Sequence, residues 1–474
     1  MSGTKMHNRQ PAWFPAAPTL WVGNLGNEHM VDRLDQADSS EESSVQFAVL
    51  RLLWFLRKED HALIPGRLDE EFLDYVSETR KAPLNSSQIF TIDASRVGES
   101  ELRSRSVAAY IDRIRASGIR TAFPYIYDRS TVRLLARWGL LGALFDTPFL
   151  RAGGAESLNS KASFRLFADA DNWPVPGGGA CRTIIDFVET VQELFEVSER
   201  VIVKANMGVG GLGNLVLQAS SNSRSGKHIG APASVEASSR EALVGIAERF
   251  GLHAQYASSG EVVIEEYVED AKPVFAEYYV TGMDGLHPVC VMAGPIDSDP
   301  ARGVLSGVTA VPGSGQWWMR PFLDAGARVA ARLKTMGYRG LVNVDGILTQ
   351  DGRCYLNEVN ARMGGGTHID VIARELIGAN WNTEYTVSTC FGPCTSSLST
   401  MRARLEAAGI SWPRTTHGGE EGVVIVSSGG PGSPFVEYMT LARNTGTALE
   451  MSGLARVALF TADTADPGVS ADWP

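Results

Sequence analysis

The sequence predicts an α/β (α+β) protein built from three successive parts, and three observations carry that reading. Strand and helix patterns alternate over residues 1–150. From Val201 the texture changes to short apolar strands separated by glycine-rich turns. A long hairpin signature then runs from Leu341 to Asn360. Alternation of the first kind gives a partly parallel sheet flanked by helices.

In the N-terminal part, Leu20–Val22, Ile89–Ile92 and Ile119–Ile126 read as strands. Phe47–Leu56, Ser106–Ser117 and Arg129–Trp138 read as helices, the second stopped by Gly118. Residues 151–160 are turn-rich. A helix over 161–167 follows, ended by Pro174, Pro176 and Gly177–Gly179, and another spans Thr183–Leu194. The run VIVKAN and the run LVL are strands. Ser220–Ser239, rich in Ser, Gly and Ala, is expected to be an exposed loop. Arg240–Phe250 is a helix and Val262–Tyr267 an apolar strand. Phe275–Ala293 reads as a hairpin turning near Asp284-Gly285. Pro321–Met336 starts a helix with proline, and Thr367 is the expected N-cap of a helix reaching Gly378. After Ser396 a small αβ appendix is expected: a helix at 401–408 and strands at 422–427 and 455–460. The division is 1–150, 151–395 with a lid over about 195–268, and 396–474.

Across 474 residues the chain is 44% hydrophobic and 20% charged, enough to bury real cores. A net charge of -11 excludes a global basic field for nucleic acid. No apolar run approaches the roughly 20 residues of a membrane helix, and Pro11, Pro15 and Pro18 interrupt any signal-peptide core. A cytoplasmic protein acting on small molecules is expected. Five scattered cysteines read as reduced thiols. The Cys390/Cys394 pair has no second Cys or His pair nearby in sequence, so zinc is a weak reading.

The most informative segment is LVNVDGILTQDGRCYLNEVN. With Asp351-Gly352 as a two-residue type I′ turn, Asp345 faces Glu358 and Asn343 faces Asn360. Period-two alternation puts all four on one sheet face. Opposed carboxylates about 5 Å apart repel by roughly 3 kcal/mol at an effective dielectric of about 20. A divalent cation with oxygen ligands offsets this, so Asp345, Glu358 and Asn360 form a candidate metal set. The bland alternative is a solvated polar face, and a one-residue slip in the turn would break the pairing.

The second constellation is Lys204 followed by Gly208, Gly210, Gly211 and Gly213. Successive N–H groups of such a loop cradle phosphate oxygens, and Lys204 adds a point charge. Gly208, Gly210 and Gly213 also fit GxGxxG, but that fingerprint should open a helix, whereas Leu215–Leu217 continues as a strand. The loop therefore reads as a lid between antiparallel strands; a plain glycine-rich hairpin turn is the alternative. Ser225-Gly-Lys227-His228 is not a P-loop, and there is no GxSxG serine-hydrolase motif. The strand ending in Glu265, Glu266, Tyr267 and Val268 could offer backbone groups to a base edge or simply be a solvated acidic loop.

In order, Lys161, Lys204 with its glycine lid, Glu265–Val268, Asp345 and the run Glu358-Val-Asn360-Ala-Arg362 resemble the ATP-grasp superfamily of carboxylate-amine ligases over about 151–395. The whole chain most resembles the pheganomycin peptide ligase type. The resemblance implies an ATP-grasp fold with an N-terminal pre-grasp domain. It implies that Lys161, Lys204, Gly208, Gly210, Gly211 and Gly213 bind the phosphates of ATP. Glu265 would meet the adenine amino group, and the backbone of Glu266 and Val268 the ring. Asp345, Glu358 and Asn360 would hold two Mg²⁺ ions. Arg362 would neutralise the transferred phosphoryl, and Gly364 would offer a backbone N–H to an oxyanion, at a helix N-terminus suited to anions. Expected partners are an amino-acid-like carboxylate and an amine or peptide acceptor, with no nucleic acid or membrane; a homodimer is compatible. Two features depart from the pattern. No extra lysine stands in 275–315, where Arg302 is the stand-in, and the ribose acid is undecided between Glu269 and Asp270. His368 either orients substrate or caps and packs.

The implied chemistry is acyl-phosphate formation followed by attack of the amine, under a lid that excludes water. Rival readings are an ATP-grasp carboxylase or phosphotransferase, a Rossmann oxidoreductase, and a non-catalytic nucleotide-binding module.

Overall fold

The computed structural model describes residues 10–26, 45–142, 145–208, 211, 213–220, 228–237, 239–253, 260–283, 285–298, 305–311, 317–416, 419–428 and 435–460. Gly210, Asp284, Arg302 and Ser225–Lys227 lie outside these residues.

The first sheet is four-stranded and parallel. It comprises β1 (Thr19–Val22), β2 (His61–Pro65), β3 (Ile89–Ile92) and β4 (Thr121–Pro124), in the order β3-β2-β1-β4. Parallel strands need crossovers that cover both faces, and β1 is buried throughout. The helices Arg105–Ala116 and Arg129–Arg137 stand where the apolar periodicity puts them, capped by Ser104 and Asp128. The stretch expected as a helix at 47–56 is largely a 3-10 helix, Leu50–Phe55.

The second sheet has five strands: β5 (Gly178–Cys181), β6 (Arg200–Ala205), β7 (Leu215–Gln218), β8 (Ala233–Glu236) and β9 (Val262–Glu266). Their order is β5-β9-β6-β7-β8. β6 and β7 are antiparallel, as a lid hairpin requires. Two expectations are corrected in this region. The turn-rich segment at 151–160 is largely helical, over Gly154–Asn159. The loop expected at 220–239 contains β8, which pairs in parallel with β7.

The third sheet has nine strands: β10 (Lys272–Val280), β11 (Val289–Ser298), β12 (Leu305–Ala310), β13 (Gly340–Leu348), β14 (Cys354–Asn360), β15 (Thr386–Pro393), β16 (Arg414–Thr416), β17 (Gly419–Ser427) and β18 (Phe435–Ala442). The order is β14-β13-β10-β11-β12-β15-β18-β17-β16. The strands after residue 396 therefore extend the sheet that carries the carboxylate hairpin. The expected strand at 455–460 is instead the end of a helix, Thr445–Phe460. Its apolar positions run almost all round, so neither period stands out in the sequence.

The main core joins the first sheet to the third. Trp54 is 1% exposed and its indole N–H donates to Val426 O at 2.9 Å, while the hydroxyl of Tyr75 accepts from Ile425 N. Among the described residues no helix is long and apolar enough to cross a membrane. All five cysteines are free thiols.

Candidate active site

The carboxylate hairpin has the expected pairing by an unexpected route. Asn343 faces Asn360 and Asp345 faces Glu358, but Gly346 faces Leu356. Asn357 is thus an extra residue, a β-bulge. The turn also differs: Thr349 N donates to Arg353 O and Gly352 N to Thr349 O, which closes a three-residue loop with Gly352 at φ 84°. Asp351 does not take the positive φ that a type I′ turn demands. The longer turn and the bulge cancel, so the acids still oppose one another.

The cluster around them is dense. Asn343 Nδ2 donates to Asp345 Oδ1 at 2.6 Å, and Asn360 Nδ2 reaches Asp345 Oδ2 at 3.0 Å and Glu358 Oε1 at 3.2 Å. Lys161 Nζ lies 2.9 Å from Glu358 Oε2. Burial and then the charge of Glu358 push the Asp345 carboxyl up to about 8. At Glu358 burial also opposes ionisation, but Lys161, helped by Asn360 and Lys204, outweighs it and holds the carboxyl at about 2. The two carboxyls therefore titrate as a pair, with Asp345 displaced upward and Glu358 downward.

The donor chemistry fits a hard cation. Two carboxylates and an amide oxygen are oxygen ligands, with remaining positions left for phosphate oxygens and water. Among the described residues no three acid, His or Cys side chains converge, so the protein's own share is this smaller set. Asn360 Oδ1 accepts from Arg362 Nη2 at 2.8 Å, which leaves its second lone pair for a cation.

Two helix and strand termini bring the lysines together. Ser160 caps the helix Lys161–Asp171 by accepting from Ser163 N. Asn206, two residues past Lys204, adds to that cap: its Oδ1 accepts from Ser160 Oγ at 2.9 Å and from Ala162 N at 3.0 Å, and its C=O from Lys161 N. Lys161 and Lys204 are 8% and 7% exposed. Sequence reading did not single out Asn206; its polar side chain directly after an apolar strand was the available signal.

Lys204 Nζ pairs with Glu265, which is 1% exposed and also 3.3 Å from Arg165 Nη1. Arg165 is a second residue the sequence did not reveal. It donates to Pro176 O and Gly178 O, pinning β5 beside the strand end Glu265–Val268, the hinge between the two sheets that line the cavity. Glu266 N donates to Gly177 O at 2.8 Å, so of its two backbone groups only the carbonyl is left for a base edge.

A cavity of about 210 Å³ opens between the five-stranded sheet and the nine-stranded sheet. Lys161, Lys204, Gly211, Glu265, Glu266, Val268, Asp345 and Glu358 line it. So do both ribose candidates, Glu269 and Asp270, and the bulge residue Asn357. Gly208, Gly213, Asn360, Arg362 and Gly364 are not on its wall. Gly364 is engaged elsewhere: its N–H donates to Glu277 Oε1 at 3.2 Å and to Thr367 Oγ1 at 2.7 Å. Thr367 does not cap the following helix. Gly366 stands at that position without a side-chain bond, and the Thr367 hydroxyl donates to Glu277. His368 is 2% exposed and packs 3.3 Å from Glu437.

Against known proteins, the sequence family described as the Pre ATP-grasp domain matches residues 49–140. No curated protein matches the chain in sequence. Solved structures are similar over nearly the whole chain at low identity. An N5-carboxyaminoimidazole ribonucleotide synthetase in its ADP complex has a TM-score of 0.56 at 13% identity, covering 94% of this chain and 97% of that one. Biotin carboxylase from Campylobacter jejuni in an ATP complex has a TM-score of 0.56 at 14% identity, covering 93% and 91%. N5-carboxyaminoimidazole synthetase from Staphylococcus aureus with ADP has a TM-score of 0.53 at 10% identity, covering 95% and 100%. The chain has the ATP-grasp fold, with a Pre ATP-grasp domain ahead of it.

Proposed function

We propose that this chain is an ATP-dependent ligase that joins an amino-acid-like carboxylate to the amino group of a peptide or amino acid, through an acyl phosphate, releasing ADP and phosphate. The observation that carries the reading is the opposition of Asp345 and Glu358 across β13 and β14, at the wall of a cavity that also holds Lys161 and Lys204. Carboxylates in that setting repel unless a proton or a cation joins them. Mg²⁺ held by Asp345, Glu358 and Asn360 would supply charge neutralisation for a polyphosphate.

The chain's own residues account for the rest. On nucleotide binding Lys161 and Lys204 exchange their carboxylate partners for phosphate oxygens. Gly211 and its neighbouring glycines let the lid backbone approach the phosphates without a Cβ in the way. Val268 N–H and the Glu266 carbonyl meet the base edge. Arg362, half-buried beside the acid pair, faces charge on the transferring phosphoryl group. Closure of the lid keeps water from the acyl phosphate. Gly364 offers its N–H to an oxyanion only if the Glu277 contact opens.

The test is ATP consumption dependent on both a carboxylate and an amine, with the nucleotide product identified. ADP with phosphate supports the proposal; AMP with pyrophosphate defeats the acyl-phosphate route. The solved structures of similar fold are carboxylases and synthetases by name, so bicarbonate without any amine is the comparison to run beside it. Consumption dependent on bicarbonate alone would select a carboxylase.

A further inference from the structure

The residues 228–231 form a strap that belongs to neither the glycine loop nor the hinge, yet is tied to both. Ile229 N donates to the Tyr267 hydroxyl at 2.8 Å, and that hydroxyl donates back to Ile229 O at 3.3 Å. Asn214 Nδ2 donates to Gly230 O at 2.7 Å, and Asn214 N to Gly211 O at 2.9 Å. A side chain at Gly211, where φ is 80°, would meet Gly230 O at 2.8 Å. Below the strap, Ala231 packs with Ile202, Val216 and Tyr267. The His228 ring stands edge-on to Tyr267 at 5.6 Å.

This anchoring leaves Ile229 in an unusual position. Its peptide N–H and C=O are both taken by Tyr267, so hydrocarbon is what it presents to the cavity. The residue is 40% exposed, although Tyr267 holds its backbone in place. Ile202 adds to the same wall, and Ile296 and Ile347 bring hydrocarbon from the large sheet. A flat aromatic ring between two such walls would cover Ile229 and needs no further polar partner from the strap.

We infer that Ile229, held by the Tyr267 hydroxyl, is the platform on which the nucleotide's purine lies, so that the strap 228–231 sets affinity for the base and leaves affinity for the phosphates alone. The inference rests on the nucleotide reading of this cavity. It adds a base-recognition element that lies outside the lid glycines and the hinge backbone.

The experiment measures binding of two probes by calorimetry with Mg²⁺ present: ADP, and inorganic tripolyphosphate, which has no base. Ile229→Ser is expected to weaken ADP about tenfold and leave tripolyphosphate unchanged. Tyr267→Phe should move ADP in the same direction by about threefold, and Ile229→Leu should restore wild-type ADP binding. Unliganded melting temperatures should match wild type, because Ile229 lies at the surface. If Ile229→Ser binds ADP as tightly as wild type, the strap inference fails while the nucleotide reading stands. If both probes weaken equally, the strap only holds the lid together and the inference also fails. If wild type binds neither probe, the nucleotide reading itself fails.

Discussion

Lys161 Nζ sits 2.9 Å from Glu358 Oε2, so a lysine and a carboxylate on the same cavity wall neutralise each other. The pair links the helix Lys161–Asp171 to β14. It also sets the two acids apart: Glu358 is shifted down by Lys161, and Asp345 is shifted up by burial and by Glu358.

Glu358→Gln is expected to abolish ATP turnover and to cost up to about 3 kcal/mol of unfolding free energy, since Lys161 loses its carboxylate partner. Denaturant unfolding without Mg²⁺ and a steady-state ATP assay check the two halves. Undiminished turnover in that variant would remove Glu358 from the metal set.

Arg165 shares Glu265 with Lys204. Arg165→Met leaves Glu265 with Lys204 as the stronger partner, which holds that lysine back from phosphate. KM for ATP should rise several-fold while kcat falls less. The same variant should lose about 3 kcal/mol of stability, because a buried carboxylate loses one of its two cations. An unchanged KM would show that Lys204 moves independently of Glu265.

Glu277 is 1% exposed, and its Oε2 has no hydrogen-bond partner among the described residues. Burial pushes its carboxyl up to about 7, against the opposing pull of the Thr367 hydroxyl and the Gly364 N–H. A carboxyl whose folded pKa lies above its unfolded value costs stability progressively as pH rises between the two, here from about 4.5 to about 7. Glu277→Gln removes that cost. Its stability relative to wild type should therefore improve between pH 5 and pH 8, as read from denaturant midpoints at each pH.

Arg51, Glu437 and His368 form a buried group joining the first sheet's layer to the C-terminal strands. Arg51 Nε lies 2.7 Å from Glu437 Oε2, and His368 Nε2 lies 3.3 Å from Oε1. Burial works against the Glu437 charge, yet Arg51 and His368 hold its carboxyl at about 2. Its stabilisation is thus present above the unfolded value of about 4.5 and is lost as pH falls toward 2. Burial lowers His368, so the unfolded chain binds the extra proton and stability also falls as pH drops below about 6.5. Arg51→Met should cost about 3 kcal/mol at pH 7 by leaving Glu437 with His368 as its remaining partner, and less at pH 3. A cost that does not vary with pH would mean that the packing of Arg51, and not its charge, is what matters.

Much of the fold is legible because its signals are local. Ser104, Asp128, Ser160 and Thr183 each cap the helix that begins after them. The strand after Gly213 ruled out a helix-opening dinucleotide loop. The helix Thr445–Phe460 differs from the strand expected at 455–460 because apolar residues lie on several of its sides, and a six-residue stretch with five apolar residues has no period to distinguish strand from helix. At the hairpin, the turn and the bulge are compensating departures that pairwise counting does not detect.

The sequence by itself determined the order of the pieces and the face on which Asn343, Asp345, Glu358 and Asn360 lie, because alternation and turn chemistry act between near neighbours. Only the tertiary structure decided who neutralises whom. The Arg165–Glu265 and Arg51–Glu437 pairs, the Gly364 N–H on Glu277 and the Ile229 strap on Tyr267 all join segments far apart in the chain. No periodicity encodes such partners; they follow from which strands the three sheets bring side by side, and from the cost of leaving a charge or a backbone N–H buried alone.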